Sequence, residues 1–269
     1  MVRLAVFGIS NPIMMLESPR FYHFTEEAFS IMSSSTRREF LKVSAVTGVG
    51  FWVAGGVQAR ESRPPNERIA MASVGVAGRG SHNLADAARC GDVVALCDAD
   101  ATRLAGASKR FPKAKKFADF RKMFEGFHKS IDAVVISTPY QAHGPTSLMA
   151  MRLGKHCFCE KPLTRTVYEC RLVGQVARQT GVATEMGNQG TALAEVRRGA
   201  ALMRAGRLGA VSEIHVWSNR PIWPQGCERP VPEDPPAGLD WNLWIGTRPM
   251  RPYGRGYHPF AWRGWWDFG

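Results

Sequence analysis

Several absences narrow the chemistry of this chain before any motif is read. None of its six cysteines stands in a Cys-x-x-Cys pair, so no zinc site of the usual paired spacing is expected. Cys97, Cys157 and Cys159 fall in apolar strand patterns, where cysteine acts as a small hydrophobe. No structural disulfide is expected. The mildly apolar stretch 43–57 is too short for a membrane span and is broken by Gly48, Gly50, Gly55 and Gly56. Negative charge is scarce: 23 acidic residues against 35 lysines and arginines give a formal net charge of +12. That excess invites a nucleic-acid reading. The cations are spread out, however, and the densest stretch, 109–122, interleaves Phe111, Phe117 and Phe120 at packing spacings. It reads as a solvated basic face, and no nucleic-acid partner is expected.

What is present centres on residues 69–80, I-A-M-A-S-V-G-V-A-G-R-G. A short apolar run ends in Gly75-Val76-Ala77-Gly78-Arg79-Gly80, and 81–90 then reads as a helix. Strand, glycine turn and helix form the corner that receives a dinucleotide pyrophosphate. Backbone N–H groups approach the anion there, and the helix N-terminus adds partial positive charge. In the G-x-G-x-x-G/A pattern the matching positions are Gly75, Ala77 and Gly80. The methyl of Ala77 narrows the approach, and Gly78 compensates. A second apolar run, Val93 to Cys97, ends in Asp98, eighteen residues beyond Gly80. An acid at about that spacing accepts hydrogen bonds from ribose hydroxyls and repels a 2′-phosphate, which favours NAD over NADP. The competing reading of Asp98 is a helix cap for the segment starting near Thr102.

The chain's 269 residues allow one large domain or two ordinary ones. Three regions are expected: a leader and linker over 1–66, a dinucleotide-binding region over 67–188, and the start of a second α/β region over 189–269. Residues 1–31 show no periodicity, and Met32 offers an alternative start. Thr36-Arg37-Arg38-Glu39-Phe40-Leu41-Lys42 resembles a twin-arginine export signal. Residues 43–57 suit its apolar region, and Val57-Gln58-Ala59 supplies small residues for cleavage. The signal, 36–59, predicts a periplasmic location, with only transient membrane contact during export. An uncleaved membrane anchor is the alternative. The twin-arginine route carries folded proteins with cofactor already bound.

Beyond Asp98 strands and helices alternate. Helices are expected over 101–110, 119–127, 141–153, 166–180 and 193–205. Strands are expected over 131–137, 156–159, 182–186 and, in the last region, 210–218. Such alternation means an α/β fold with a parallel, doubly wound sheet. Its ligand site lies beyond the C-terminal strand ends. Three loops share that edge: 75–80, 138–143 and 160–162. Lys161 is therefore expected beside the nicotinamide end of a dinucleotide, able to exchange a proton with a substrate oxygen. Its alternative is an ordinary surface lysine.

Glu160-Lys161-Pro162, with the glycine turn, Asp98, and Thr138-Pro139 with His143, resembles the Gfo/Idh/MocA oxidoreductases, the group of glucose-fructose oxidoreductase and inositol dehydrogenase. The segments 216–221, 239–244 and 262–269 look like the family's exported branch. The resemblance implies a Rossmann domain followed by an α/β domain with a large open sheet for substrate and oligomer contacts. It implies hydride transfer between NAD, or alternatively NADP, and a sugar or cyclitol, in a homo-oligomer at full length. Lys161 would be catalytic, supported by Glu160 and Pro162. Thr138, Pro139 and His143 would line the nicotinamide side, and Gly75, Ala77, Gly78, Arg79, Gly80 and Asp98 would hold the rest of the cofactor. No metal is implied.

Family members carry an Asp and a His downstream of the tryptophan-rich segment, and the sequence ends before them. An incomplete second domain is therefore expected, with some of the seven tryptophans of 217–266 partly exposed. A catalytically incomplete dinucleotide-binding fragment or paralogue stands as the alternative function. An S-adenosylmethionine site is disfavoured by Glu-Lys-Pro and Thr138-Pro139.

Overall fold

The protein was analysed as a computed structural model, which describes residues 68–219, 221–223 and 225–269. The twin-arginine motif and the cleavage position lie outside the described residues.

Six short strands pair in parallel, in the order β3-β2-β1-β4-β5-β6. They are β1 (Ile69–Val74), β2 (Gly91–Cys97), β3 (Lys115–Phe117), β4 (Ala133–Ile136), β5 (His156–Glu160) and β6 (Thr184–Gly187). Helices fill the crossovers: α1 (Arg79–Cys90), α2 (Ala101–Arg110), α3 (Phe120–Phe127), α4 (Tyr140–Arg152) and α5 (Val167–Thr180). The central strands carry continuous apolar runs because helices cover both faces. Ala72, Val74, Val134 and Ile136 are buried with Phe124 and Met151 on one side, while Leu84, Leu96 and Leu104 pack on the other.

Local signals fix the helix ends. Asp100 and Asp119 cap α2 and α3 by accepting from backbone N–H groups of the first turn. Thr166 and Glu169 form a reciprocal capping box at the start of α5. Gly154, with φ +73°, turns the chain back after α4, and Lys155 N–H donates to Ala150 O across that turn. The three-residue β3 lies inside the basic stretch that reads as a solvated face. Lys115 and Lys116 are exposed on this edge strand, and Phe117 faces Phe127 at 6.0 Å.

After β6 the architecture changes. α6 (Ala194–Arg204) is exposed along almost its whole length. The expected strand over 210–218 is absent: the segment has no regular structure and is almost wholly exposed. A strand needs a neighbour to take up its N–H and C=O groups, and among the described residues none lies beside it. A buried core forms again over 239–268, around α7 (Trp241–Ile245). There Trp241, Trp244, Tyr253, Tyr257, Trp262 and Phe268 form a second buried cluster. The late tryptophans divide accordingly, some exposed as expected and some buried. Trp241, Trp244 and Trp262 are buried, whereas Trp217 and Trp266 are exposed. The difference follows from contact: Trp241 and Trp244 stack at 4.8 Å, and Trp262 meets Tyr140 of α4 edge-on at 4.7 Å.

Among the described residues, no helix is long and apolar enough to cross a membrane, and no group of His, Cys, Asp and Glu is placed to hold a metal. All six cysteines are unpaired. Cys97, Cys157 and Cys159 are buried, and burial pushes the Cys157 thiol up to about 11.

Candidate active site

The strand order reverses between β1 and β4. Beyond their C-terminal ends lies a cleft of about 1380 Å³. That exceeds the roughly 300–1,000 Å³ usual for one small ligand and suits a dinucleotide together with a second molecule.

The glycine turn forms its floor. Gly75, at φ +83°, brings its backbone so close to β4 that an added Cβ would stand 2.7 Å from the Ser137 carbonyl. Gly80 is tighter still, with a Cβ meeting Gly75 O at 2.1 Å. Gly78 behaves differently: at φ +55° its missing Cβ would meet nothing within 4 Å. This open face lies at the start of α1, which no side chain caps. An anion fits here, where the helix N-terminus has N–H groups to offer. Ala77 and Arg79 also line the cleft.

Asp98 closes the turn from the side. One carboxylate oxygen accepts from Val76 N–H at 3.0 Å and the other from Asp100 N–H at 3.0 Å. Burial raises its pKa, against the lowering effect of those two hydrogen bonds and of Arg103. The alternative role as a helix cap falls to Asp100, which accepts from Thr102 and Arg103 N–H. Asp98 keeps lone pairs toward the cleft that it lines.

On the β4 side, Thr138 and Pro139 line the cleft. The Thr138 hydroxyl oxygen is buried with no hydrogen-bond partner among the described residues. His143, on α4, is fully buried beneath them. Its Nε2 stands 2.8 Å from Thr138 O and its Nδ1 2.8 Å from Pro162 O. Burial pulls its pKa below the ordinary histidine value, against the two carbonyls. The ring thus spans two loops and presents neither nitrogen to a ligand. The sequence placed His143 in the lining, and it does line the cleft, while its ring nitrogens brace the two loops.

Glu160, at the end of β5, is a hub. Its Oε1 accepts from Asn83 at 2.9 Å, from Arg79 at 3.3 Å and from Gln189. Its Oε2 accepts from the backbone N–H of Lys161 at 3.3 Å. Burial pushes this carboxyl up, but the hydrogen bonds from Asn83, Gln189 and Arg79 outweigh it and hold the group below the ordinary carboxylate range. Lys161 follows, exposed, on the cleft wall, with a cis bond to Pro162. Its ammonium has no hydrogen-bond partner among the described residues.

The far wall comes from residues that the motifs did not single out. Tyr140 meets Trp262 edge-on at 4.7 Å, and Trp223, Phe260 and Arg263 line the same cleft. Gln141 donates to Trp244 O at 3.0 Å, and Asp240 N–H donates to Ala99 O at 2.9 Å, seating the aromatic cluster on the strand ends. Tryptophan density was the available signal for this wall, but it does not distinguish packing from lining.

Residues 68–188 match the model of an oxidoreductase family with an NAD-binding Rossmann fold, Gfo/Idh/MocA. A glycosyl hydrolase family 109 protein of Solibacter usitatus is 29% identical over 155 residues, 52% of this chain and 35% of that protein. Inositol 2-dehydrogenase of Salmonella typhimurium is 31% identical over 91 residues, 34% of this chain and 26% of the enzyme. The chain therefore spans about a third of the length of the curated relatives it matches. Among solved structures, scyllo-inositol dehydrogenase from Lactobacillus casei with bound NAD(H) and scyllo-inositol is similar in fold. It has a TM-score of 0.50 and 24% identity over 53% of this chain and 43% of that one.

Proposed function

We propose that this chain, whose residues 68–188 match the Gfo/Idh/MocA oxidoreductase model, is an NAD-dependent dehydrogenase that acts on a hydroxyl of a cyclitol or sugar. The observation that carries the reading is the meeting of an open Gly78 cradle and an unpaired Lys161 on one cleft. In this reading the α1 N-terminus and the turn 75–80 hold the pyrophosphate. Asp98 accepts from the ribose hydroxyls with its remaining lone pairs, and a 2′-phosphate there would meet a carboxylate. The unpartnered Thr138 hydroxyl is the polar group left for the nicotinamide end.

Bound NAD would supply the hydride acceptor for the substrate carbon. The chain's part is to take the proton from the substrate oxygen, and Lys161 is the candidate. A positioned acid–base group typically contributes about 10²–10⁴-fold. Its position is set through Glu160, which fixes the Lys161 backbone N–H, and through His143, which braces Pro162. Glu160 is committed to Arg79, Asn83 and Gln189, so its role is to hold the loop. The similarity to inositol 2-dehydrogenase supports the cyclitol or sugar class. The implied homo-oligomer and the export of the folded, cofactor-loaded chain belong to the same proposal. Replacing Arg37 and Arg38 by lysine should keep the protein in the cytoplasm.

The direct test is fluorescence titration with NADH and NADPH. NADH should bind at least about tenfold tighter, the worth of one unfavourable charge contact. Equal affinities would remove Asp98 from the ribose site. Lys161→Ala should lower turnover of a polyol substrate by about 10²-fold or more, and turnover unchanged by this substitution would overturn the catalytic assignment.

A further inference from the structure

We propose that the cleft takes a substrate carrying an anionic oxygen group, a carboxylate or a phosphate, and that Arg263 is the residue that receives it. The inference rests on the dehydrogenase reading and deepens it.

A charge account of the cleft wall leads there. Arg79 is paired with Glu160 at 3.3 Å, Arg103 with Asp100 at 3.3 Å, and Arg121 with Asp119 at 2.7 Å. Among the described residues lining the cleft, Lys161 and Arg263 are the cations left without a carboxylate. Lys161 has a role in proton transfer. Arg263 has none, and its placement is specific. Its guanidinium lies 4.2 Å from the Trp262 ring centroid and 4.5 Å from that of Phe260. Nη1 donates to Phe260 O at 2.9 Å. Two rings and one carbonyl fix the plane, so little rotamer freedom remains to be lost when an anion binds. The other edge N–H groups have no acceptor among the described residues. A fixed guanidinium edge suits a planar carboxylate or a phosphate with paired hydrogen bonds.

The position points to the reacting end of the cleft. Trp262, beneath the guanidinium, meets Tyr140 edge-on at 4.7 Å, and Tyr140 directly follows Thr138-Pro139. The cofactor's own negative charge is already provided for at the Gly78 cradle and the α1 N-terminus. Trp223 and Phe260, in edge contact at 6.0 Å, supply apolar surface beside Arg263 for a sugar ring.

The experiment loads the 269-residue chain with NADH and titrates D-glucuronate, D-glucose 6-phosphate and D-glucose, following nucleotide fluorescence. At least one acidic sugar should bind about tenfold or more tighter than D-glucose, as expected for a charge-assisted pair. The better acidic ligand identifies carboxylate or phosphate as the group taken. Arg263→Gln should remove that preference while NADH affinity stays within about twofold of the parent. Arg263→Lys keeps the charge but not the paired donors, should restore part of the preference, and guards against a folding artefact. Equal binding of all three sugars, or binding of none by the NADH-loaded chain, overturns the inference. So does a tenfold loss of NADH affinity in Arg263→Gln, which would assign the guanidinium to the cofactor's pyrophosphate. A parent chain that binds no NADH overturns the dehydrogenase reading itself, and the absence of any nucleotide signal makes that failure recognisable.

Discussion

Two parts of this molecule reach order by different routes. Residues 68–188 bury their core on strands and helices whose hydrogen bonds are internal and repetitive. Residues 239–268 bury a core almost without regular structure. Trp241 stacks on Trp244 at 4.8 Å, and Phe268 lies within 5.0–6.4 Å of Trp244, Tyr257 and Trp241. Large rings, each burying roughly 150–250 Å², replace the sheet. Between them, residues 194–219 have neither a partner strand nor an aromatic cluster, and leave Leu202, Met203, Ile214, Val216 and Trp217 exposed. Strand pairing or concentrated side-chain burial builds a core here, and the intervening stretch, with the exposed helix α6 and the irregular segment after it, has neither.

The largest effect should come from the tightest point of the first route. A Cβ on Gly80 would stand 2.1 Å from Gly75 O, a backbone atom that cannot swing aside. Gly80→Ala should cost about 3–5 kcal/mol, as the severe overpacking cases do, and should abolish NADH binding. Denaturant unfolding with an unchanged midpoint would show that the turn has slack and that its glycines are not structurally required.

Phe268→Ala attacks the second route. Truncating a fully buried phenylalanine costs about 3–5 kcal/mol. The loss should be local: by hydrogen exchange, amides of 239–268 should lose protection while those of β1 and β4 keep theirs. Equal loss across both parts would mean one cooperative unit, and the distinction between routes would collapse. A smaller disturbance of the same cluster comes from Arg251, which pairs with Asp267 and lies 5.5 Å from the Phe268 ring. Arg251→Gln should cost about 1–3 kcal/mol, read as a lower Tm, because a partly buried carboxylate loses its charged partner.

The contrast also explains what the sequence made legible. Period and punctuation revealed the doubly wound sheet: apolar runs, Asp98 after β2, and Gly154 after its helix. Motif spacing singled out Gly75, Ala77, Gly78, Arg79, Thr138 and Glu160-Lys161, all of which line the cleft. It could not say that Glu160 is spent on Arg79, Asn83 and Gln189, because those partners are up to 81 residues apart. Nor could it say that His143 faces two carbonyls, since a lining histidine and a bracing histidine have the same spacing. The aromatic wall was illegible for a different reason. Tryptophans without a period carry no information about direction, so Trp262 and Trp217 looked alike. The strand expected over 210–218 is absent because a strand-like sequence does not say whether a neighbouring strand exists to pair with it.

The smallest expected effect tests the end of the first part, where the chain leaves the sheet. Glu160 ends β5, and one of its partners, Gln189, is among the first residues beyond the sheet. Burial favours the neutral acid, but three side-chain donors favour the carboxylate more, so the folded-state pKa lies below the ordinary 4.5. For an acid shifted down, the stabilisation is complete above the unfolded-state value and disappears as pH falls through the folded-state value. Glu160→Gln removes the titration. It leaves one oxygen for Asn83, Arg79 and Gln189, and sets an amide N–H₂ against the Lys161 N–H, so the variant should be less stable at pH 7. The difference in Tm between parent and variant should therefore be largest at neutral pH and shrink below about pH 4.5. The parent should come to resemble the variant as its carboxylate takes up a proton. A difference that stays constant from pH 7 down to the acid limit would mean the donors do not sense the charge. Glu160 would then hold Gln189 by shape alone, and Lys161 would owe its position to His143 and Pro162.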